Sequence, residues 1–441
     1  MSEQGGTQDP SDQLRKDENT RQSGGMWRKA ITRRDVLKLA GIGGAGLLLG
    51  SLGTGGILQA GSAPVKREAQ DLAGSGVVDF YGAHQAGIAT PPQDFVCFAA
   101  FDLTVDAVAQ VRKLFQQWTE AAAVMTSGGM IGSSNDNPNL PPSDTGEAAE
   151  LVPSGLTITF GVGPSLFDAR YGLSAKKPDT FADLPAFSGD ELRPEWTGGD
   201  IGIQVCANDL QVAFHAIRNL ARIARGKAVL RWTQEGFQRS SHSDKAGATP
   251  RNLMGFKDGT VNPNVHDPKT MDEVVWAQAD DGVPWMAGGS YMVVRRVRIR
   301  VEVWDRSTLQ DQEATFGRHR RSGAPLGSRD EFDQVDLNAK DENGNPLIPM
   351  NAHVRLARGD NSVHLLRRSY SYSSGLDRTT GQLDAGLLFI SYQRDIAKQF
   401  IPVQKRLASD KLNEYIVHNG SAVFACFPGV REGGYIGDTL L

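Results

Sequence analysis

One order of strands and helices, written twice, constrains this chain more than any other feature. Residues 95–103 are apolar and aromatic enough for a buried strand, residues 105–124 alternate on a helical period, and residues 156–162 are rich in β-branched side chains. Residues 201–207 read as a further strand. Residues 209–226 follow as a helix with Leu210, Phe214, Ile217, Leu220 and Ala221 on one face, and residues 229–237 as a fourth strand. Residues 126–145 are dominated by Gly, Ser, Asn, Asp and Pro and read as loop.

The second half repeats the scheme less cleanly. Residues 291–303 read as a long strand, 306–317 as a short helix, 387–392 as an apolar strand, 396–412 as a helix and 421–427 as a closing strand. Strand-helix-strand-strand-helix-strand is the ferredoxin-like βαββαβ order. The expected fold class is therefore α+β: two ferredoxin-like domains with antiparallel sheets packed together, of the dimeric α/β-barrel type. The polar run Ser240-Ser241-His242-Ser243-Asp244-Lys245-Ala246-Gly247 marks the boundary, giving domains over residues 75–250 and 251–441. Residues 319–347 are charged and loop-like, with a turn at Gly344-Asn345-Pro346, and are expected to wrap the outside.

At 441 residues the chain has length for two globular units. Lys+Arg 47 against Asp+Glu 51 leaves a formal net charge of -4, which gives no cationic field for a nucleic acid or an anionic membrane face. Cys97, Cys206 and Cys426 are odd in number and sit in apolar runs, so neither a disulfide framework nor a cysteine metal site is expected. The first 25 or so residues are too polar to bury a core. Thr32-Arg33-Arg34-Asp35-Val36-Leu37-Lys38 follows, then a weakly apolar, glycine-laden run over residues 39–60 and the small residues Gly61-Ser62-Ala63. Residues 1–63 thus resemble a twin-arginine export signal with its leader. The alternative, a membrane anchor, is weakened by the glycines and the paired arginines. Export through the twin-arginine machinery to the periplasm or the extracellular space is the expectation.

Chemistry-bearing residues fall in three segments. Gly255-Phe256-Lys257-Asp258-Gly259-Thr260 presents one acid on a glycine-flanked turn, where the backbone can approach a flat ligand and the carboxyl group can accept or donate a proton. An Asp-Gly pair alone is more often a surface turn. Asn351-Ala352-His353-Val354-Arg355-Leu356-Ala357 carries an imidazole among short apolar residues, where a structural histidine is the ordinary case. His364-Leu365-Leu366-Arg367-Arg368-Ser369-Tyr370-Ser371-Tyr372 then sets two guanidiniums after an apolar lead-in, ahead of Leu387-Leu388-Phe389-Ile390-Ser391-Tyr392-Gln393.

Taken together, these segments resemble the dye-decolorising haem peroxidases, most closely their exported deferrochelatase/peroxidase branch. The resemblance extends from Phe80-Tyr81-Gly82-Ala83-His84-Gln85-Ala86-Gly87-Ile88 through Val303-Trp304-Asp305-Arg306 and Gly323-Ala324-Pro325-Leu326-Gly327 to Val403-Gln404-Lys405-Arg406-Leu407, nearly the whole mature chain. It implies haem b between the sheet and helices of the C-terminal half. His353 matches the proximal iron ligand, Asp258 the distal acid that shuttles the peroxide proton, and Arg367 the distal arginine that stabilises growing negative charge. Arg368 is the neighbouring alternative to Arg367. Gly259, Thr260 and Val261, together with Arg358, Gly359 and Asp360, match stretches along the haem edge. Arg355, Arg318 and Arg320 are candidates for the propionates, and Leu387 and Phe389 for a dry distal lid.

Two departures from the branch stand out. The segment between His353 and Arg367 is shorter than in the nearest members, and Ser369 stands where relatives carry glycine or asparagine, placing an extra hydroxyl near the distal face. The implied activity is reduction of hydrogen peroxide with oxidation of one-electron donors such as phenols, dyes or a protein donor. Bulky donors would be oxidised at the surface through Trp or Tyr relays, with Tyr392 and Trp304 as candidates. Two other readings stand beside it: release of iron from haem with the porphyrin left whole, and haem carriage without turnover. Homo-oligomers are common in the family.

Overall fold

The computed structural model describes residues 76–133, 137–240 and 248–441. The export leader expected over residues 1–63 and most of the polar link near residues 240–252 lie outside the described residues. The first half contains β1 (Phe95–Leu103), α1 (Val108–Thr126), β2 (Thr157–Val162), β3 (Ile201–Ala207), α2 (Leu210–Ile223) and β4 (Ala228–Phe237). After a short helix α3 (Pro268–Val274), the second half runs β5 (Ser290–Ile299), α4 (Val301–Trp304), α5 (Leu309–Phe316), α6 (His353–Arg358), β6 (Leu366–Arg367), β7 (Tyr370–Asp377), β8 (Gln382–Gln393), α7 (Phe400–Arg406) and β9 (Ile416–Cys426).

Both halves have the predicted βαββαβ order, and their strands join one antiparallel sheet ordered β5-β9-β2-β3-β1-β4-β7-β8, which a β5–β8 pairing closes into a barrel. Within each half the neighbours follow the same pattern, β2-β3-β1-β4 and β7-β8-β5-β9. The halves meet along narrow seams, Gly161↔Cys426 with Val162↔Ala425 on one side and Phe237↔Ser371 on the other. β6 and β7 share one register against β8, Leu366↔Tyr392 and Tyr370↔Leu388, and the Arg368 N–H donates to the Ile390 carbonyl at 2.8 Å to carry the ladder across the break.

Period-two alternation assigns side chains to two faces. Phe98, Trp232, Met292, Tyr370, Tyr392 and Phe424 fill the barrel interior. On the outer face of the first half, Phe101, Phe160 and Val205 pack against Phe115 and Trp118 of α1 and Leu220 of α2. Trp118 Nε1 donates to the Leu220 carbonyl at 2.8 Å, so its one polar atom is satisfied in the dry layer. Asp209 caps α2 by accepting from the Val212 N–H at 3.0 Å.

Four readings are corrected. On α2 the buried stripe is Ala213, Ala216, Ile217 and Leu220, while Leu210 and Phe214 are exposed; the small alanines let the helix approach the sheet, and that close contact outweighs the two larger side chains. β5 ends at Ile299, and residues 301–304 turn helically. The helix expected over residues 396–412 is α7 alone, followed by two 3-10 turns. β6 and β7 were not foreseen, because Arg367, Ser369, Ser371 and Ser373 give the strand a polar alternation.

Closure of the barrel depends on Gly386, which pairs with Arg298 across β8 and β5. A Cβ there would stand 2.0 Å from the Val297 carbonyl oxygen and 2.9 Å from the Arg298 Cα. Gly386→Ala is expected to lower stability by about 1–3 kcal/mol, read as a lower midpoint in chemical denaturation; an unchanged midpoint would show that β5 and β8 do not meet as described.

Candidate active site

Where α1 and α2 lie directly on the first half's sheet, the short helices of the second half stand away from it. The gap is a cavity of about 310 Å³, within the range that holds a small organic ligand. Its sheet wall carries Arg295, Val297, Ile299, Arg367, Leu387, Phe389 and His418, and its helix wall Phe316, His353, Val354, Ala357, Arg358, Phe400 and Val403. Residues 257–262 close one side. Period two sends Arg367 into this cavity and its neighbour Arg368 into the barrel, where Arg368 is buried on the carbonyls of Thr90 and Pro91 and the Gln93 amide oxygen.

The acid reaches the cavity on a loop fixed by apolar packing. Phe256 is buried and stacks on Phe316 with ring centroids 4.0 Å apart and planes at 12°. Gly255 and Gly259 adopt φ of +85° and +98°, a region costly for other residues, and so turn the chain on either side of Asp258. Asp258 accepts from Arg367 Nη2 at 2.5 Å. Asn262 grips the backbone of Arg367 at both ends, accepting from its N–H at 3.1 Å and donating to its carbonyl at 2.7 Å. Arg367 Nε is buried without a hydrogen-bond partner among the described residues, and the guanidinium carbon lies 5.4 Å from the Phe389 ring centroid.

On the other wall, His353 opens α6 and faces the cavity. Its Nδ1 donates to Asp410 Oδ2 at 2.6 Å, and Asp410 Oδ1 accepts from the Leu412 N–H at 2.8 Å. A carboxylate on Nδ1 fixes the tautomer whose Nε2 carries a free lone pair. Among the described residues no group of three or more His, Cys, Asp or Glu could hold a bare ion.

Of the remaining predicted residues, Gly259, Thr260, Val261, Arg318, Arg358, Leu387 and Phe389 line the cavity. Four do not. Arg355 spends its guanidinium on the carbonyls of Leu337, Ile348 and Pro349. Arg320 packs against Gly255, where a Cβ would meet its Nη2 at 2.6 Å. Gly359 is covered by Arg406, and Asp360 accepts from Ser362 in a local turn. Trp304 and Tyr392 are both buried, with Trp304 Nε1 donating to the Met254 carbonyl at 3.1 Å, so neither presents a surface for a bulky donor.

The cavity also holds residues that sequence reasoning missed. Asp410 and Asn262 have no local signal. Arg295 is buried in a salt bridge with Asp190, and His418 beside them is pushed down to about 3 by burial and the Arg295 charge, so it is neutral. A second cavity of about 260 Å³ shares Asp258, Gly259, Asn262, Arg367 and Leu387 with the first and adds Gln238, Thr249, Ser369 and Ser371. The Ser369 hydroxyl is buried there without a partner among the described residues.

Comparison with known proteins identifies the family of the chain. The Dyp-type peroxidase N-terminal family model matches residues 85–238, and the Dyp-type peroxidase C-terminal model matches residues 249–431. A deferrochelatase of Escherichia coli is 40% identical over 405 residues, covering 88% of this chain and 95% of its own length. Among solved structures, a DyP-type peroxidase from Cellulomonas bogoriensis is 41% identical with a TM-score of 0.76, covering 83% of this chain and 98% of its own. DtpA from Streptomyces lividans, solved as an oxyferrous complex, is 37% identical with a TM-score of 0.78, covering 84% and 99%.

The residues present fit a haem. The His353 imidazole, oriented by Asp410, faces the cavity, an orphaned guanidinium N–H stands on the other wall, and Arg318 and Arg358 together supply positive charge. Arg318 is held below the ordinary arginine range by burial and, in part, by the nearby Arg358 charge; among the described residues neither guanidinium has a carboxylate within salt-bridge distance, so an anionic propionate there would relieve both. Asp410→Ala leaves the His353 ring free to turn and is expected to weaken haemin binding about 10- to 100-fold, followed as Soret absorbance in a titration of apoprotein. Affinity equal to that of the unaltered chain would show that Asp410 does not orient His353.

Proposed function

Because the chain belongs to the Dyp-type peroxidase family, we propose that it reduces hydrogen peroxide at haem b held by His353 and oxidises one-electron donors. The observation that carries this reading is the contact between Asp258 and Arg367 on the wall facing His353. Bound haem supplies the iron that takes up peroxide and stores its oxidising equivalents. The chain's residues manage protons, charge and water.

Asp258, as carboxylate, accepts the proton from the near oxygen of peroxide and returns it to the departing one, which leaves as water. Arg367 keeps its charge throughout. Its Nη2 holds Asp258, and its positive charge stabilises the peroxide anion. Asn262 ties the Arg367 backbone to the loop carrying Asp258, so acid and cation stay in register. Leu387 and Phe389 give the pair an apolar border on the sheet side. The adjoining polar cavity, with Ser369 and Gln238, gives peroxide a route to the pair.

The deferrochelatase name of the Escherichia coli relative brings a second reading, iron release with the porphyrin intact. Under the peroxidase reading, Asp258→Ala or Arg367→Leu slows the stopped-flow reaction of the ferric protein with peroxide by about 10²-fold or more, while haemin titrates as before. Unchanged rates would remove the pair from the mechanism. Iron release predicts free porphyrin fluorescence without peroxide, and a haem carrier predicts neither signal.

Export by the twin-arginine route to the periplasm or beyond completes the proposal, resting on Arg33-Arg34 and the glycine-rich run behind them. Substituting lysine at both positions is expected to leave the protein in the cytoplasmic fraction. Equal export of the altered chain would reject it.

A further inference from the structure

One buried carboxylate grips the Asp258 loop from both sides. Lys257 Nζ donates to Glu331 Oε2, and Thr260 Oγ1 donates to Glu331 Oε1 at 3.0 Å. The residues flanking Asp258-Gly259 therefore end on the two oxygens of a single side chain. Glu331 is 9% exposed, so this is a buried acid and not a solvated one. Burial alone would raise its pKa, but hydrogen bonds from Lys257, Thr249 and Thr260 hold the carboxyl below its ordinary value. It is charged at neutral pH.

The surroundings give this carboxylate few other duties. Residues 319–347 contain neither helix nor strand, only turns and isolated bridges. The stem of Lys257 packs on Gly323 so closely that a Cβ there would lie 2.6 Å from its Cδ, and the Glu331 carbonyl accepts from Arg318 Nη1 at 3.0 Å. Among the described residues Asp258 has two direct restraints of its own, the Arg367 contact and its N–H on the Pro250 carbonyl at 2.8 Å. Gly259, at φ +98° with no atom nearer than 3.9 Å to a Cβ, offers the loop freedom to relax.

We propose that Glu331 is a positioning residue for the catalytic acid, clamping Lys257 and Thr260 so that Asp258 stays within reach of Arg367 and of peroxide, without itself touching the reacting atoms. The inference rests on the peroxidase reading of Asp258. A reacting group displaced by about 1 Å loses rate by about 10²-fold, and a glycine-hinged loop without its clamp has room for such a shift.

The test uses the haem-loaded chain with Glu331→Ala, Glu331→Gln, Asp258→Ala and the Asp258→Ala/Glu331→Ala double variant. Three quantities are read: the stopped-flow rate with peroxide, the affinity of the ferric protein for fluoride, and the thermal midpoint. Fluoride takes hydrogen bonds from the distal wall without any turnover, so it reports placement separately from activity. Glu331→Ala is expected to slow the peroxide reaction about 10- to 100-fold and to weaken fluoride binding, per haem bound. Glu331→Gln, which keeps an acceptor for Thr260 and loses the charge facing Lys257, should fall between and remains informative where the alanine variant does not fold. The double variant should be no slower than Asp258→Ala alone, because the clamp acts only through the acid.

The proposal is overturned if the rate per bound haem and the fluoride affinity are unchanged in Glu331→Gln and in any folded Glu331→Ala, or if the double variant loses the Glu331 factor on top of the Asp258 one. An Asp258→Ala protein that reacts normally would instead bring down the peroxidase reading, and this inference with it.

Discussion

The contact between Asp258 and Arg367 joins points 109 residues apart in sequence, and the proposed chemistry depends on it. It is nevertheless a weak anchor. The two side chains are 17% and 32% exposed in an open cavity, where such a pair contributes at most about 1 kcal/mol. Stronger interactions bring the partners together. Phe256 is buried between Phe316 and Trp304, the short strand β6 is held in register on β8, and Asn262 binds both backbone groups of Arg367. The acid and the cation are delivered by packing and backbone bonds, so their own charges remain available to a substrate.

That delivery is possible because the two halves use one topology for different ends. In the first half, helices of 19 and 14 residues cover the sheet directly and leave an apolar layer around Trp118. In the second half, α5, α6 and α7 have 8, 6 and 7 residues. Helices this short cannot cover a sheet whose strands lie about 4.8 Å apart without help from loops, and the space they leave is the cavity. Its sheet wall can then carry Arg367 and Arg295, charged residues that a packed helix would forbid. Arg295 shows the cost of such a position, since burial lowers its pKa despite Asp190 beside it.

What the sequence revealed follows the same division. Asp258, His353 and Arg367 stand in runs of distinctive residues, and the structure brings all three to one cavity. Asp410, Asn262 and Glu331 support those three from 57, 105 and 71 or more residues away, and each looks locally like any surface polar residue. Periodicity found the apolar strands of both halves but passed over β6 and β7, where one face is polar because it borders a cavity. The family resemblance put Arg355 and Arg358 near the haem; in the structure Arg355 is spent on carbonyls of the neighbouring loop and Arg358 lines the cavity, a difference set by tertiary partners. The charged stretch over residues 319–347 is loop, as its composition indicates, yet Glu331 and Val335 turn inward, a choice made by tertiary partners alone.

Proton accounting separates the two chemistries that this cavity suggests. Cleaving peroxide passes one proton from the near oxygen to the far one, so a single acid can serve every cycle. Removing iron from a porphyrin consumes two protons at the ring nitrogens, which must be supplied anew each time. Two carboxyl groups line the cavity, Asp258 and Asp410. Asp410 is committed to His353 and the Leu412 N–H, and His418, pushed down to about 3, carries no acidic proton near neutral pH. Asp258 is left as the carboxyl free to exchange a proton, and it lies 2.5 Å from the Arg367 guanidinium. Such a group is suited to taking a proton and returning it, which is the requirement of peroxide reduction, more than to delivering two protons to a ring.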